Sequence, residues 1–219
     1  MKSISVLRLA AILLCCMYLL GFASLQAQVN KWVNYTPNLT TVLKNPAMGW
    51  MMYEEGWSFQ GTRHNKSNIY TPEVFWEQME ECKAADYANI LYIRMLWKDL
   101  EPEEGKYAWI YNEQYKWYIQ KAKDKGLKLA FRVFFHGVDG VPSYVYEAGA
   151  TESPIDDEGK TQPYYDNPVF LEKLDKFVEA FAKEYDNPDE VDYIDAYGLG
   201  RWGEGHGLAL EKKENLETV

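Results

Sequence analysis

The sequence predicts an α/β fold in which parallel strands alternate with helices, arranged as the amino-terminal half of a (β/α)8 barrel. Three observations carry this prediction. Four strand-like apolar runs alternate with three helix-like runs, which implies a parallel sheet with helices packed outside it. The strand runs are nearly continuously apolar, as strands covered on both faces are. Long segments follow the second and third strands, about residues 97–111 and 136–166. Both lie beyond strand carboxyl ends, the face that carries the chemistry in such a barrel.

Each element has a local reason. Residues 46–53 form the first strand candidate. Thr71-Pro-Glu then opens a helix, with threonine as N-cap and proline at the first position. Phe75, Met79 and Cys82 follow at helical spacing. Residues 89–96 form an apolar strand interrupted by Arg94. Residues 112–125 form a second helix with Tyr115, Tyr118, Ile119 and Ala122 inward and Gly126 as the stop. Residues 127–135 are the third strand. Asn167-Pro168 caps a third helix with an apolar stripe of Phe170, Leu171, Leu174, Phe177, Val178 and Phe181. Residues 191–197 are the fourth strand. A complete barrel takes about 250 residues, and residues 208–219 read as an unfinished loop and helix. The expectation is a domain over 28–219 that is incomplete at its carboxyl end.

Residues 1–27 read as a secretory signal peptide. Lys2 and Arg8 precede an apolar run over 10–20, and Leu25-Gln-Ala27 offers a small residue before a cut. The run is short for a membrane span, and no basic stop-transfer cluster follows. Removing Lys2 and Arg8, with no acid lost, moves the net charge from −10 to −12. An acidic chain argues against nucleic acid or an anionic membrane as partner. Cys15 and Cys16 leave with the signal, so Cys82 has no intramolecular partner. Its helical position suggests a buried thiol. An exported chain without disulfides suits a bacterial periplasm or cell surface. The three Asn-X-Thr/Ser sites at Asn34, Asn38 and Asn65 are then chance matches.

The densest chemistry lies just past the fourth strand, in Asp195-Ala-Tyr-Gly-Leu-Gly-Arg-Trp-Gly-Glu204-Gly-His206. Glu204 is a carboxylate beyond a strand's carboxyl end, where a barrel enzyme keeps an acid catalyst. The bland alternative is a solvated loop carboxylate. Trp97 and Trp202 sit at strand ends and offer a flat face to the C–H side of a sugar, or ordinary packing. Arg94 must be paired or face a polar cleft. His136 ends the third strand, and His206 follows Glu204 by two residues. Either suits hydrogen bonds to sugar hydroxyls. Glu204, His206 and His136 lack zinc-type spacing, and no calcium loop is present, so no metal is expected. No cofactor is expected either. Gly198-Leu-Gly200-Arg-Trp-Gly203 formally fits the dinucleotide fingerprint, but that motif must open a helix and Glu204-Gly-His-Gly207 is a poor helix start. Glu101, Glu103 and Glu104 read as a solvated acidic loop.

Several segments resemble clan A glycoside hydrolases, particularly the β-galactosidase-like barrels. Arg94-Met-Leu-Trp97-Lys-Asp-Leu-Glu101-Pro-Glu-Glu-Gly105 resembles the segment those enzymes carry after their second strand. The likeness extends over about residues 45–207. A further likeness is to secreted bacterial barrels with Trp-Gly-Glu at the fourth strand. The resemblance implies that Glu204 is the general acid/base and that the nucleophile follows a seventh strand, beyond Val219. It also implies that Arg94 supports that nucleophile and that Glu101 matches the motif glutamate. One departure stands out: the family places asparagine directly before the acid/base, and here Gly203 is there. The expected activity is hydrolysis of β-linked oligo- or polysaccharide. The expected alternative is a non-catalytic carbohydrate-binding protein on the same scaffold. With one carboxylate of the pair, the 219 residues by themselves are expected to show no robust hydrolysis.

Overall fold

The structure is a computed structural model. It describes residues 36, 38, 40–42, 49–54, 71–135, 140–155, 161–195, 198–217 and 219. The signal-peptide prediction over 1–27 lies outside these residues. The chain divides into two units, Met1–Thr41 and Val42–Val219. All the elements below belong to the second unit.

Four strands form one sheet: β1 (Trp50–Glu54), β2 (Ala88–Leu96), β3 (Lys128–Phe134) and β4 (Val191–Ile194). Every neighbouring pair is parallel, and the spatial order is β1-β2-β3-β4. Each strand therefore lies beside its predecessor in sequence. A doubly wound sheet reverses its order at a switch point, and none occurs among these strands. Consecutive parallel strands with intervening helices are the winding of a (β/α)8 barrel.

The helices form where the caps and apolar periods place them. Helix α1 (Pro72–Glu81) starts at Thr71, whose side chain accepts from the Val74 amide. The short helices α2 (Ala84–Tyr87), α3 (Trp97–Leu100) and α4 (Ala108–Tyr111) follow. Helix α5 (Glu113–Asp124) is capped by the Asn112 side chain and buries the four residues expected, Tyr115, Tyr118, Ile119 and Ala122. Gly126 ends it at φ +70°, a conformation glycine adopts at low cost. Helix α6 (Ser143–Glu147) is short. Helix α7 (Pro168–Tyr185) is capped by Asn167, which accepts from two amides.

One sheet face carries Leu91, Ile93, Met95, Leu129, Phe131 and Val133, all in the apolar core beneath the helices. Phe131 meets Phe181 and Tyr185 of α7 with ring centroids 5.3 and 4.6 Å apart. Phe75 of α1 meets Tyr118 of α5 at 5.5 Å. The other face carries Tyr53, Tyr92, Arg94, Arg132, Tyr193 and Asp195, by register and alternation. The sheet curls toward this second face. The Tyr193 hydroxyl of β4 lies 3.7 Å from the Met51 sulfur of β1, although two strands separate edges that would be about 14 Å apart in a flat sheet.

Two side chains expected in the core are exposed. Cys82 is exposed rather than buried. It falls on the C-cap of α1, where the helix no longer aims it at the sheet. Val178 is 52% exposed, because the aromatic side of α7 (Phe170, Phe177, Phe181 and Tyr185) takes the core. No helix among the described residues is long and apolar enough to cross a membrane.

Candidate active site

Three adjacent strands present charge on the concave face at one level. Arg94 of β2 is the register partner of Arg132 of β3. Asp195 directly follows Ile194, which is paired with Phe131. The Asp195 amide donates to the Phe131 carbonyl at 2.8 Å. Arg132 is the hub: its Nε donates to Asp195 Oδ2 at 2.8 Å and its Nη1 lies 3.4 Å from Glu204 Oε1. Its guanidinium also sits 6.0 Å from the Tyr92 ring centre, within cation–π range. The Tyr92 hydroxyl donates to the same Asp195 Oδ2 at 2.5 Å.

These contacts set the charge states. Burial pushes the Asp195 carboxyl up, but the Tyr92 and Arg132 hydrogen bonds and the charges of both arginines outweigh it and hold the group below its ordinary value. Asp195 is therefore an ionised, oriented carboxylate at neutral pH. Burial raises the Tyr92 phenol, and its bond to Asp195 raises it further. Tyr92 thus stays protonated and serves as a donor.

Residues 198–207 form the loop that carries Glu204. The Gly198 carbonyl accepts from the Phe135 amide at 3.2 Å, continuing the β3 edge beyond β4. Gly200 sits at φ +75°, and a Cβ there would collide with the His206 carbonyl. Trp202 adopts φ +55°, which costs a non-glycine residue of order 1 kcal/mol or more. Arg94 fixes this turn: its Nη2 donates to the Trp202 carbonyl at 3.1 Å while its Nη1 donates to the Tyr53 hydroxyl at 2.7 Å. One arginine thus holds the loop's backbone, and its neighbour in the next strand holds the Glu204 side chain.

The loop is also fastened from the outside. Gln162 donates to the Gly207 carbonyl at 2.7 Å, and the Tyr165 amide donates to the Ala209 carbonyl at 3.0 Å. Asp166 accepts from the amides of Glu211 and Lys212 and from the Asn215 side chain. Burial pushes the Asp166 carboxyl up, and these three donors bring it below its ordinary value.

The predicted site residues separate into groups. Glu204, Trp202 and His206 share the loop and are exposed. The Trp202 and His206 rings meet at 5.7 Å, and Trp202 is 44% exposed. Arg94 joins this group by holding the Trp202 carbonyl. Trp97 does not. It is 0% exposed and packs against Phe135, Phe170 and Phe177. Its strand-end position leads into α3, which turns the ring beneath α7 and out of reach of a sugar. Glu101 also corrects the reading of a solvated loop. It is 2% exposed and accepts from the Trp97 indole, the Gly105 amide and the Tyr144 hydroxyl. Glu103 and Glu104 are exposed and pair with Lys106 and Lys173. His136 lies outside the described residues.

Arg132, Asp195 and Tyr92 were not singled out from sequence. The signal was present for Arg132, which interrupts an apolar strand as Arg94 does, whereas Asp195 directly follows β4, which already holds Asp192. Among the described residues no three His, Cys, Asp or Glu side chains are grouped to hold a metal ion. A separate open hollow of about 290 Å³, lined by residues such as Asp99, Tyr107 and Tyr111, shares none of these site residues.

No family model and no curated protein matches the chain. Among solved structures, a β-glucosidase from Exiguobacterium marinum is 18% identical over 56% of this chain and 23% of its own, with a TM-score of 0.38. A cold-adapted β-galactosidase from Rahnella sp. R3 is 17% identical over 70% of this chain and 22% of its own, with a TM-score of 0.43. The exo-β-1,4-mannosidase Op5Man5 from Opitutaceae bacterium strain TAV5 is 12% identical over 74% and 27%, with a TM-score of 0.40. The chain therefore spans about a quarter of the length of these proteins. Its own sheet order establishes the fold, and no activity follows from neighbours this distant.

Proposed function

We propose that the chain is part of an exported bacterial glycoside hydrolase acting on β-linked oligo- or polysaccharide, with Glu204 as the general acid/base. The observation that carries this reading is the placement of Glu204. It stands past the carboxyl end of β4, 46% exposed, on a loop held by two strand arginines. Glycosidic cleavage needs a carboxylic acid beside the leaving oxygen, because an alkoxide leaves poorly. A second carboxylate must stand opposite as nucleophile or as base for water. By the family resemblance it would follow a seventh strand, outside this chain. Trp202 offers an exposed aromatic face beside Glu204, suited to the C–H side of a pyranose.

In a complete barrel carrying this segment, Glu204→Gln is expected to lower the rate on β-linked oligosaccharides, whose leaving group is an alkoxide, by about 100-fold or more. Equal rates for wild type and variant on a well-cleaved substrate would end the acid/base assignment.

Two observations favour a second reading, a carbohydrate-binding protein without turnover. Glu204 lies in an ion pair with Arg132, and a proton donor has to leave that pair. Gly203 also stands where the resembled family has asparagine. Saturable binding of oligosaccharide by a complete barrel, with no cleavage of any panel substrate, would select this reading.

A further inference from the structure

The concave face contains a second carboxylate besides Glu204, and it is the better oriented of the two. Asp195 keeps 31% of its side chain exposed. Both bonds that hold it, from Tyr92 Oη and Arg132 Nε, fall on Oδ2. Oδ1 receives neither. The carboxylate is thus fixed by one oxygen with the other left as an acceptor.

The charges around it balance. Arg94 and Arg132 contribute two positive charges, and Asp195 and Glu204 contribute two negative ones. The chain as a whole carries −10, yet this face is formally neutral. Its other prominent side chains are aromatic: Tyr53, Tyr193 and Trp202 are 48%, 37% and 44% exposed. Tyr92 lies between the two tyrosines, with ring centroids 5.4 Å from Tyr53 and 5.9 Å from Tyr193. Aromatic faces beside a fixed acceptor fit a ligand with C–H faces and hydroxyl donors. A ligand carboxylate would meet Asp195 and Glu204 unfavourably. A ligand ammonium would face arginines that already neutralise those acids.

We propose that Asp195 is a substrate-specificity residue that accepts a sugar hydroxyl on Oδ1, so that this face selects neutral sugars over uronic acids and amino sugars. The inference rests on reading the face as a carbohydrate site, whether or not the sugar is cleaved. A site built to hydrogen-bond a hydroxyl discriminates strongly, because its polar group is otherwise left unpaired. A bond to a charged acceptor corresponds to roughly 10- to 100-fold in affinity.

Isothermal titration calorimetry on a complete barrel carrying this segment tests this with glucose, galactose and mannose against glucuronate and glucosamine. The expected result is saturable binding of at least one neutral sugar, with both charged sugars at least about fivefold weaker. Asp195→Asn should lower affinity for the neutral sugar by about tenfold or more, at an unchanged far-ultraviolet dichroism spectrum. Tyr92→Phe removes one anchor and keeps the carboxylate, so a smaller loss is expected. It carries the test if Asp195→Asn does not fold. The proposal is overturned if no neutral sugar binds, if a charged sugar binds as tightly, or if the folded Asp195→Asn (or Tyr92→Phe in its place) keeps wild-type affinity. Wild-type rates in Glu204→Gln would remove only the catalytic reading, and wild-type affinity in Asp195→Asn only this one.

Discussion

Removing the Glu101 carboxylate would strand three donors at once: the Trp97 indole, the Gly105 amide and the Tyr144 hydroxyl. Each is buried or partly buried, and an unpaired buried polar group costs about 1–3 kcal/mol. Glu101→Ala is therefore expected to destabilise the protein by on the order of 3 kcal/mol or more, read as a lower urea midpoint. Glu101→Gln keeps an acceptor for some of these donors and should lose less. A midpoint unchanged in Glu101→Ala would mean that the network contributes nothing net. The same residue shows how a motif glutamate can be structural: it locks Trp97, whose ring seats four aromatic neighbours. The residues proposed to face ligand are others, namely Glu204, Trp202 and Asp195.

At the scale of elements, the Glu204 loop is positioned by its neighbours more than by its own sequence. Gly200→Ala would place a methyl group against the His206 carbonyl at a φ that alanine disfavours. The loop would have to move, and Glu204 with it. In a complete barrel this variant is expected to lose at least about tenfold in cleavage rate while keeping most of its thermal stability, since the loop lies outside the apolar core. Unaltered cleavage would show that Glu204 tolerates displacement. The 207–217 segment hangs on Asp166, which ties down two amides and Asn215. Asp166→Ala should raise amide hydrogen exchange at Glu211 and Lys212 by about tenfold, leaving β2 and β3 protected as before. Exchange rising equally in β2 and β3 would point to global destabilisation instead.

Acid stability belongs to the whole molecule. Asp195 and Asp166 both have native carboxyls held below their ordinary value of 3.8. A carboxyl depressed in the folded state stabilises it fully above the unfolded value, and that contribution fades as pH falls through the native one. Stability should therefore be level with respect to these two groups above about pH 5 and decline as pH falls through about 4 and below. Replacing both with asparagine should flatten that decline, as measured by urea unfolding across the pH series. An equally steep decline in the double variant would assign the acid sensitivity to other carboxylates.

The sheet order was legible because alternation of apolar strands and capped helices is a local property. Thr71 and Asn167 each cap a helix where their type and spacing place them, and Asn112, read from sequence as the first helical residue, caps a third. The site was legible only in part. Glu204 and Trp202 stand out in a glycine-rich stretch, and Arg94 stands out as a charge within an apolar strand. Arg132 carries the same signal and Asp195 a weaker one, but their meaning depends on which strands become neighbours. The sequence could not separate the two tryptophans either: both follow strands, yet α3 turns Trp97 inward and the 201–203 turn leaves Trp202 outward.

What the sequence by itself determined is the set of elements and their parallel, consecutive winding, because caps, turns and apolar periods act over a few residues. Only the tertiary structure decided which charges meet. Register brings Arg94, Arg132 and Asp195 to one level from positions 38 and 63 residues apart. A charge within a strand is tolerable only where neighbouring strands provide partners. Those partners are fixed by pairing across the sheet, which no short stretch of chain encodes.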